Sequence, residues 1–437
     1  MVPLTLSFTA LALSASLSRA AILSVIIPTI FLLTYRYKKE ILCFYKNLKW
    51  TAKNIALFAL CICLLSISAI ATLYLKKESA DGRVLIWKIG KNILHENRLF
   101  GIGFGQFKSR YMNYQAEYFK NNFYANEIRL ADDTNYAFNE YLQATVENGF
   151  IGLLLMLSIL LTVLFARTKK RNDFRHVMLK LNFMSNETSL PTLARAGILC
   201  IAIFSLFSYP SQILPIKTNL VLFLATIAKS RQLEKAVSTN IPKRVLEKKS
   251  FSLGISAFIA LLVLASFATF KIHFYQTRFQ LWKEAQHLYS YEVYANSIVK
   301  YAEAYPGLKH NGDFLTNYGK ALFMAGRHEE ALEILKEAEN LFPNTVSCIA
   351  KGDSYKHLGK YPEAEQAYFD AFYMKPNRLY PKYLLVKLYQ HWNKPEAAKS
   401  LAEDIMNMDI KVPSKATLEI RSQMEKYLRD NQTLKLR

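Results

Sequence analysis

"GKALFMAGRHEEALEILKEAENLFP" (residues 319–343) returns in pattern as "GDSYKHLGKYPEAEQAYFDAFYMKP" (residues 352–376). Gly319, Leu322, Ala331, Leu335, Ala338 and Pro343 stand 33 residues before Gly352, Tyr355, Ala364, Tyr368, Ala371 and Pro376. Small residues let two helices cross closely, and a proline stops the second helix. A weaker third copy carries Tyr389 and Ala398, and a partial copy, "YANSIVKYAEAYP", precedes the pair with Pro306 at the stop position. One such unit does not bury its apolar face alone, so the copies are expected to stack.

The pattern resembles the tetratricopeptide repeat, one residue short of its usual period. Residues 272–437 are therefore expected to form a TPR-like α-solenoid whose concave face takes a protein or peptide partner. A plain helical bundle is the alternative.

Upstream the character changes. The chain has 437 residues, 51% of them apolar, yet its formal net charge is +22. Soluble enzymes rarely combine the two, whereas apolar spans joined by basic loops produce both. The positive charge is dispersed among loops, so nucleic acid is not an expected partner. Cys43, Cys61, Cys63, Cys200 and Cys348 show neither metal spacing nor a disulfide framework, and Cys61 and Cys63 read as small apolar packing residues.

Spans are read at 55–75, 149–166 and 251–271, each near the length a bilayer demands. Residues 196–228 are interrupted by "SYPSQILPIK", which suggests a hairpin of two short spans. Residues 2–34 exceed one straight span and hold Arg19, so they read as a partial span followed by a full one. Residues 1–271 thus form a membrane domain of about seven spans. Loops 34–53, 167–195 and 229–249 hold six, seven and seven Lys/Arg against one, two and two acids, and loop 76–148 holds ten against nine. The positive-inside rule makes the first three cytoplasmic, and alternation places loop 76–148 and everything after 271 outside. Arg19 then lies near the outer face. It either snorkels to headgroups or lines a polar cavity and meets an anion.

Loop 76–148 is longer than a connector needs. It holds Arg83, Trp87, Arg98, Lys108, Arg110 and Arg129, the tyrosines Tyr111, Tyr114, Tyr118 and Tyr124, and the carboxylates Asp132, Asp133, Glu140 and Glu147. Guanidinium forks suit phosphate, aromatic rings suit sugar faces, and a carboxylate can take a hydroxyl proton. Together these suit glycosyl transfer from an anionic, lipid-linked donor. The plainer readings are a glycine turn at "LFGIGFGQF" (99–107) and an interfacial belt of tyrosines. A nucleotide loop is disfavoured there, since no strand precedes it and no Gly-Lys-Ser/Thr follows. Asp132 and Asp133 lack the further ligands a divalent cation needs, so neither metal nor cofactor is expected.

The order "SLSRAAILSV", "DGRVLIWKIGKNILHENRLFGIGFGQFKSRY", "AFNEYLQATVENGFIGLLLML" resembles the O-antigen ligase and polymerase superfamily, bacterial inner-membrane glycosyltransferases of the C type. Ser18-Arg19 matches its Ser-Arg between spans, and Arg83 and Trp87 match its spaced Arg and Trp. Gly103, Phe104, Gly105, Gln106 and Phe107 match its glycine turn, and Asn139, Glu147, Gly149 and Gly152 match its entry into the next span. The resemblance covers roughly residues 10–165. It implies an all-α, polytopic membrane domain of the inner membrane, with the loop and repeats periplasmic. It also implies transfer of a glycan from undecaprenyl pyrophosphate to lipid A-core or a protein hydroxyl. Arg19 and Arg83 are then assigned to the pyrophosphate, with Arg110 and Arg129 secondary.

Two departures stand out. Where the family has His-Asn, this chain has Phe138-Asn139. Glu140, and after it Asp133, are then the candidate bases. The family also carries several spans before Ser-Arg, which leaves open a truncated N-terminus. An O-antigen polymerase and a catalytically inactive, membrane-anchored TPR scaffold are the alternative readings.

Overall fold

The repeat arithmetic has a direct physical counterpart. A Cβ on Gly319 would lie 2.6 Å from Leu335 Cγ, and one on Gly352 would lie 2.5 Å from Tyr368 Cε1. The small position of each repeat thus receives its large position, and both large side chains are fully buried. Ala331, Ala338, Ala364 and Ala371 line the same crossings with no exposed surface.

The computed structural model describes residues 11–13, 15, 18–38, 40, 43, 77–165, 190–238 and 243–435. The span read at 55–75, with Cys61 and Cys63, lies outside them, as do most of loops 34–53 and 167–195. Among the described residues there are helices and no strands. In order they are α1 (Arg19–Arg36), α2 (Lys77–Glu96), α3 (Phe107–Asn121), α4 (Ala125–Ile128), α5 (Glu140–Phe165) and α6 (Leu190–Phe204). A 3₁₀ turn, Pro210–Gln212, leads into α7 (Leu214–Ser238) and α8 (Lys243–Ser290). The repeats follow: α9 (Tyr294–Leu308), α10 (Gly312–Met324), α11 (His328–Leu341), α12 (Thr345–His357), α13 (Tyr361–Met374), α14 (Leu379–His391), α15 (Pro395–Asn407) and α16 (Lys415–Lys435). Pro306 does not end its helix as expected. α9 runs two residues past it, where a proline in the last turn forfeits one internal bond.

Packing divides the chain into two compact units. The first comprises Met1–Arg83, Asn97–Gly103 and Tyr136–Ser250, and the second Val84–Glu96, Phe104–Asn135 and Phe251–Arg437.

In the first unit α6 packs against α1, α5 and α7. Ala194, Ile198 and Ile227 form the buried centre, with Leu160, Val163, Leu164, Leu220, Phe223 and Leu224 around it. Gly197 admits the Phe223 ring, since a Cβ there would sit 2.4 Å from it. The break expected within 196–228 falls at residues 205–213, between α6 and α7.

Helix α5 is broken at Gly149, whose φ of 67° and ψ of −173° are not helical. The break frees the carbonyls of Val146 and Glu147 and the amides of Phe150 and Ile151. Residues 98–103 take up all four. Ile102 N and Gly103 N donate to Val146 O (3.0 Å) and Glu147 O (2.8 Å), while Phe150 N and Ile151 N donate to Arg98 O (2.9 Å) and Leu99 O (3.4 Å). A buried backbone group without a partner costs about 1–3 kcal/mol, so this exchange is what permits the break. The approach is close enough to require glycine on both sides. A Cβ on Gly101 would lie 2.4 Å from Glu147 O, and one on Gly149 would lie 2.0 Å from Leu99 O.

In the second unit α8 carries an apolar window directly into the first repeat helix. Phe258–Ser290, like Glu140–Phe165 in the first unit, is long and apolar enough to cross a membrane. Its apolar side chains from Phe258 to Ile272 stand exposed, as a lipid-facing helix would have them. Helix α3 packs on the second helices of the repeats, α11 and α13. Phe107, Tyr111, Met112, Tyr118 and Phe119 bury its inner face. Tyr111 and Tyr118 are therefore core residues here, not a sugar platform or a membrane belt. Tyr114 is bonded to Glu96, and Tyr124 is exposed.

Candidate functional site

The first unit holds Arg19, Arg83, Gly103, Asn139, Glu140, Glu147 and Gly149. Arg19 opens α1, capped by Ser18 Oγ, which accepts from Ala21 N at 3.3 Å. Arg83 lies on α2, half-buried, with its guanidinium carbon 5.4 Å over the Phe138 ring. Burial, and then the like charge of Arg19, hold the Arg83 guanidinium below its ordinary pKa. Arg83 thus feels the positive charge of Arg19. An anion placed beside Arg83 would favour its charged form.

Phe138 holds its ring beneath Arg83 in the left-handed backbone region, at φ 52°, which is uncommon for a bulky residue. Its edge meets Tyr209 at 5.3 Å, and Tyr209 stacks on Tyr136 at 4.6 Å. Asn139 Oδ1 accepts from Leu142 N at 3.0 Å and so caps α5. Gln143 bridges Ala137 N (3.2 Å) and Glu147 Oε1 (3.1 Å), which ties the turn before α5 to the buried carboxylate beside the break. Glu140 accepts from Ser211 twice, from the backbone N at 2.8 Å and from Oγ at 2.7 Å. Each carboxylate oxygen keeps a further lone pair, so Glu140 is oriented without being blocked.

Tyr136, Tyr209 and Ser211 were not anticipated. The signal was present in "SYPSQ", where the interruption of an apolar run carries the polar groups that reach back to residues 136–140.

The second unit holds Trp87, Gly105, Arg110, Arg129, Asp132 and Asp133. Arg110 and Arg129 are exposed, on α3 and just after α4. Asp133 is paired with Lys375, whose Nζ also lies 3.0 Å from Asp132 Oδ1. Burial raises the Asp132 carboxyl, but the Lys375 hydrogen bond and charge outweigh it and hold the pKa below the usual value. Among the described residues no three His, Cys, Asp or Glu side chains stand together as a metal would need. Trp87 is half-buried on α2. Gly105 has φ 73° with open space around it, while Gly103 spends its amide on Glu147 O. The glycine turn therefore serves the break in α5. Two of its amides, Ile102 N and Gly103 N, are taken by backbone and are not available to a phosphate.

The N-terminal motifs and the C-terminal repeats each fall within a stretch that resembles a known family. Residues 4–157 match the family described as O-antigen ligase, and residues 279–344 match YpiA-like, C-terminal tetratricopeptide repeats. The family resemblance read from the motifs is thereby borne out over the N-terminal part of the chain, and the repeat assignment over the C-terminal part. Members of the first family are membrane proteins and ligase or glycosyltransferase-type enzymes. No curated protein matches the chain. Among solved structures, the crystal structure of MamA protein is similar at 15% identity over 35% of this chain and 89% of that one, with a TM-score of 0.29.

Proposed function

We propose that this protein is an O-antigen ligase-like glycosyltransferase of the bacterial inner membrane. It moves a glycan from undecaprenyl pyrophosphate to lipid A-core or a protein hydroxyl on the periplasmic face. What supports this reading is that half-buried Arg83 lies over the Phe138 ring and feels the like charge of Arg19, and that both arginines fall within the stretch matched to the O-antigen ligase family. In this reading the pair holds the donor pyrophosphate. Fixed positive charge stabilises the negative charge that builds on the leaving oxygen as the sugar C1–O bond breaks. The acceptor oxygen bonds to C1, and its proton passes to Glu140. The aromatic group Tyr136, Phe138 and Tyr209 offers ring faces beside the cations for the sugar.

The repeats support a protein partner as well. Gln286, Tyr289, Tyr301, Asn317 and Lys320 line a pocket of about 200 Å³ between the end of α8, α9 and α10. Amides and an ammonium beside tyrosine rings suit a peptide segment.

The test is glycan transfer in membranes from a strain lacking the chromosomal copy. Arg19→Ala and Arg83→Ala each abolish transfer while the protein remains in the membrane at its normal amount. Wild-type transfer by both variants removes the pyrophosphate assignment. Loss of glycan from lipid A in the deletion strain indicates a ligase, loss from proteins an oligosaccharyltransferase, and single-repeat glycans a polymerase.

A further inference from the structure

Three asparagines stand 33 residues apart in the repeats, Asn311, Asn344 and Asn377. The first two do the same work. Asn311 Oδ1 caps α10 by accepting from Asp313 N (3.0 Å) and Phe314 N (3.1 Å). Asn344 Oδ1 caps α12 by accepting from Val346 N (3.0 Å) and Ser347 N (2.9 Å). Asn377 does neither. The residue at the start of α14 is Arg378, and no side chain caps that helix. Instead Asn377 Nδ2 donates to Ala131 O (2.8 Å) and Ile128 O (3.1 Å), with Arg129 O further off at 3.4 Å. Its Oδ1 is buried without a hydrogen-bond partner among the described residues. A capping acceptor has been left idle, and the amide donor turned toward a segment some 250 residues away in sequence.

The neighbours of Asn377 grip the same segment. Gln115 Nε2 donates to Met374 O (2.6 Å) and Asp132 O (3.2 Å), and so joins α3, the 131–134 turn and the end of α13. Lys375 pairs with Asp132 and Asp133. The Phe123 and Phe372 rings lie 6.3 Å apart. On α3 itself, Lys108 pairs with Asp313 at 3.1 Å and covers the Phe342 ring at 3.7 Å. Most of these contacts lie on the second helices of the repeats and the turns that flank them, and Asp313 is in the first turn of α10.

We propose that Asn377 is a positioning residue. It is a repeat-position asparagine converted from helix cap to clamp, and it fixes the turn that carries Arg129, Asp132 and Asp133. The repeats thereby shape a loop of their own chain. The clamp stands on geometry alone, and its effect on transfer rests on the transferase reading.

The experiment is hydrogen exchange on the full-length chain in lipid nanodiscs, paired with transfer kinetics. Asn377→Ala and Asn377→Asp both remove the donor. Each is expected to speed amide exchange across residues 128–134 by about tenfold, while α10 to α13 keep their protection. Asn344→Ala is the control: it loosens the start of α12 and leaves 128–134 at the wild-type rate. In transfer, both Asn377 variants raise KM for donor or acceptor more than they lower kcat. A structural defect alone would reduce the amount of active protein and lower kcat at constant KM. Unchanged exchange across 128–134, or equal loosening of the repeats, overturns the clamp. Faster exchange with unchanged KM overturns the positioning role. If the wild-type chain transfers no glycan, the transferase reading falls, and the exchange data still decide the clamp.

Discussion

Glu140 has its carboxylate oriented by two bonds from Ser211, and it follows directly on Asn139, the cap of α5. Glu140→Gln keeps size and hydrogen bonding but removes the proton acceptor. Transfer is expected to fall at least a hundredfold, the range of a lost general base, with the protein still in the membrane. Full activity of that variant, measured by glycan profile, would dismiss Glu140 as the base. Phe138 explains why the position before Asn139 tolerates an apolar ring. The ring lies between Arg83 and Tyr209 as a support, and the left-handed backbone points it there. Sequence reading singled out Arg19 as a charge inside an apolar run, Arg83 by its motif spacing to Trp87, and Glu140 by its place beside Asn139. It missed Tyr209 and Ser211 because "SYPSQ" marks a break in an apolar run but does not say which residues, about 70 positions earlier, the turn reaches.

Among the elements, the glycines show how a motif can be legible and its purpose hidden. "LFGIGFGQF" read as a glycine turn, and its contact is with α5, an exchange of four backbone bonds. Gly149→Ala is expected to cost roughly 2–5 kcal/mol, from the left-handed φ and from a methyl group driven onto Leu99 O. A thermal melt in detergent should show it, and a loss below about 1 kcal/mol would contradict the close approach. The ion pair between Lys375 and Asp132 predicts a pH effect on the 128–134 turn. The folded Asp132 pKa is depressed, so the pair stabilises above the usual carboxylate value and is lost as pH falls through the lower, folded value. Exchange across 128–134 should therefore accelerate, after correction for intrinsic rates, only below about pH 4. Acceleration already between pH 7 and 5 would point to another group.

At the scale of the whole molecule, the repeats were readable because periodicity survives without knowledge of neighbours, and Gly319 meeting Leu335 is the same fact in three dimensions. The packing of α3 on α11 and α13 was not readable, because Gln115 and Asn377 reach backbone carbonyls, and a carbonyl has no sequence identity. Helix α8 runs unbroken from its apolar window to the start of the repeats, so an insertion within it turns the repeat end against the window. Two alanines inserted near residue 265 would turn that end by about 200°, and seven would restore the phase to within about 20° while lengthening the helix by about 10 Å. Transfer is expected to fail with two and to recover in part with seven, and equal outcomes for both would refute the phase argument. The shared bonds at Gly149 also impose an order of events. Helix α5 is long and apolar enough to cross a membrane, and in lipid four of its backbone groups would have no partner within the helix. Residues 98–103 leave the ribosome before α5 does, so the donors and acceptors that complete the helix are already waiting. A chain rearranged to make that segment after α5 would have to insert an incomplete helix, and its yield in the membrane should suffer before its activity is ever measured.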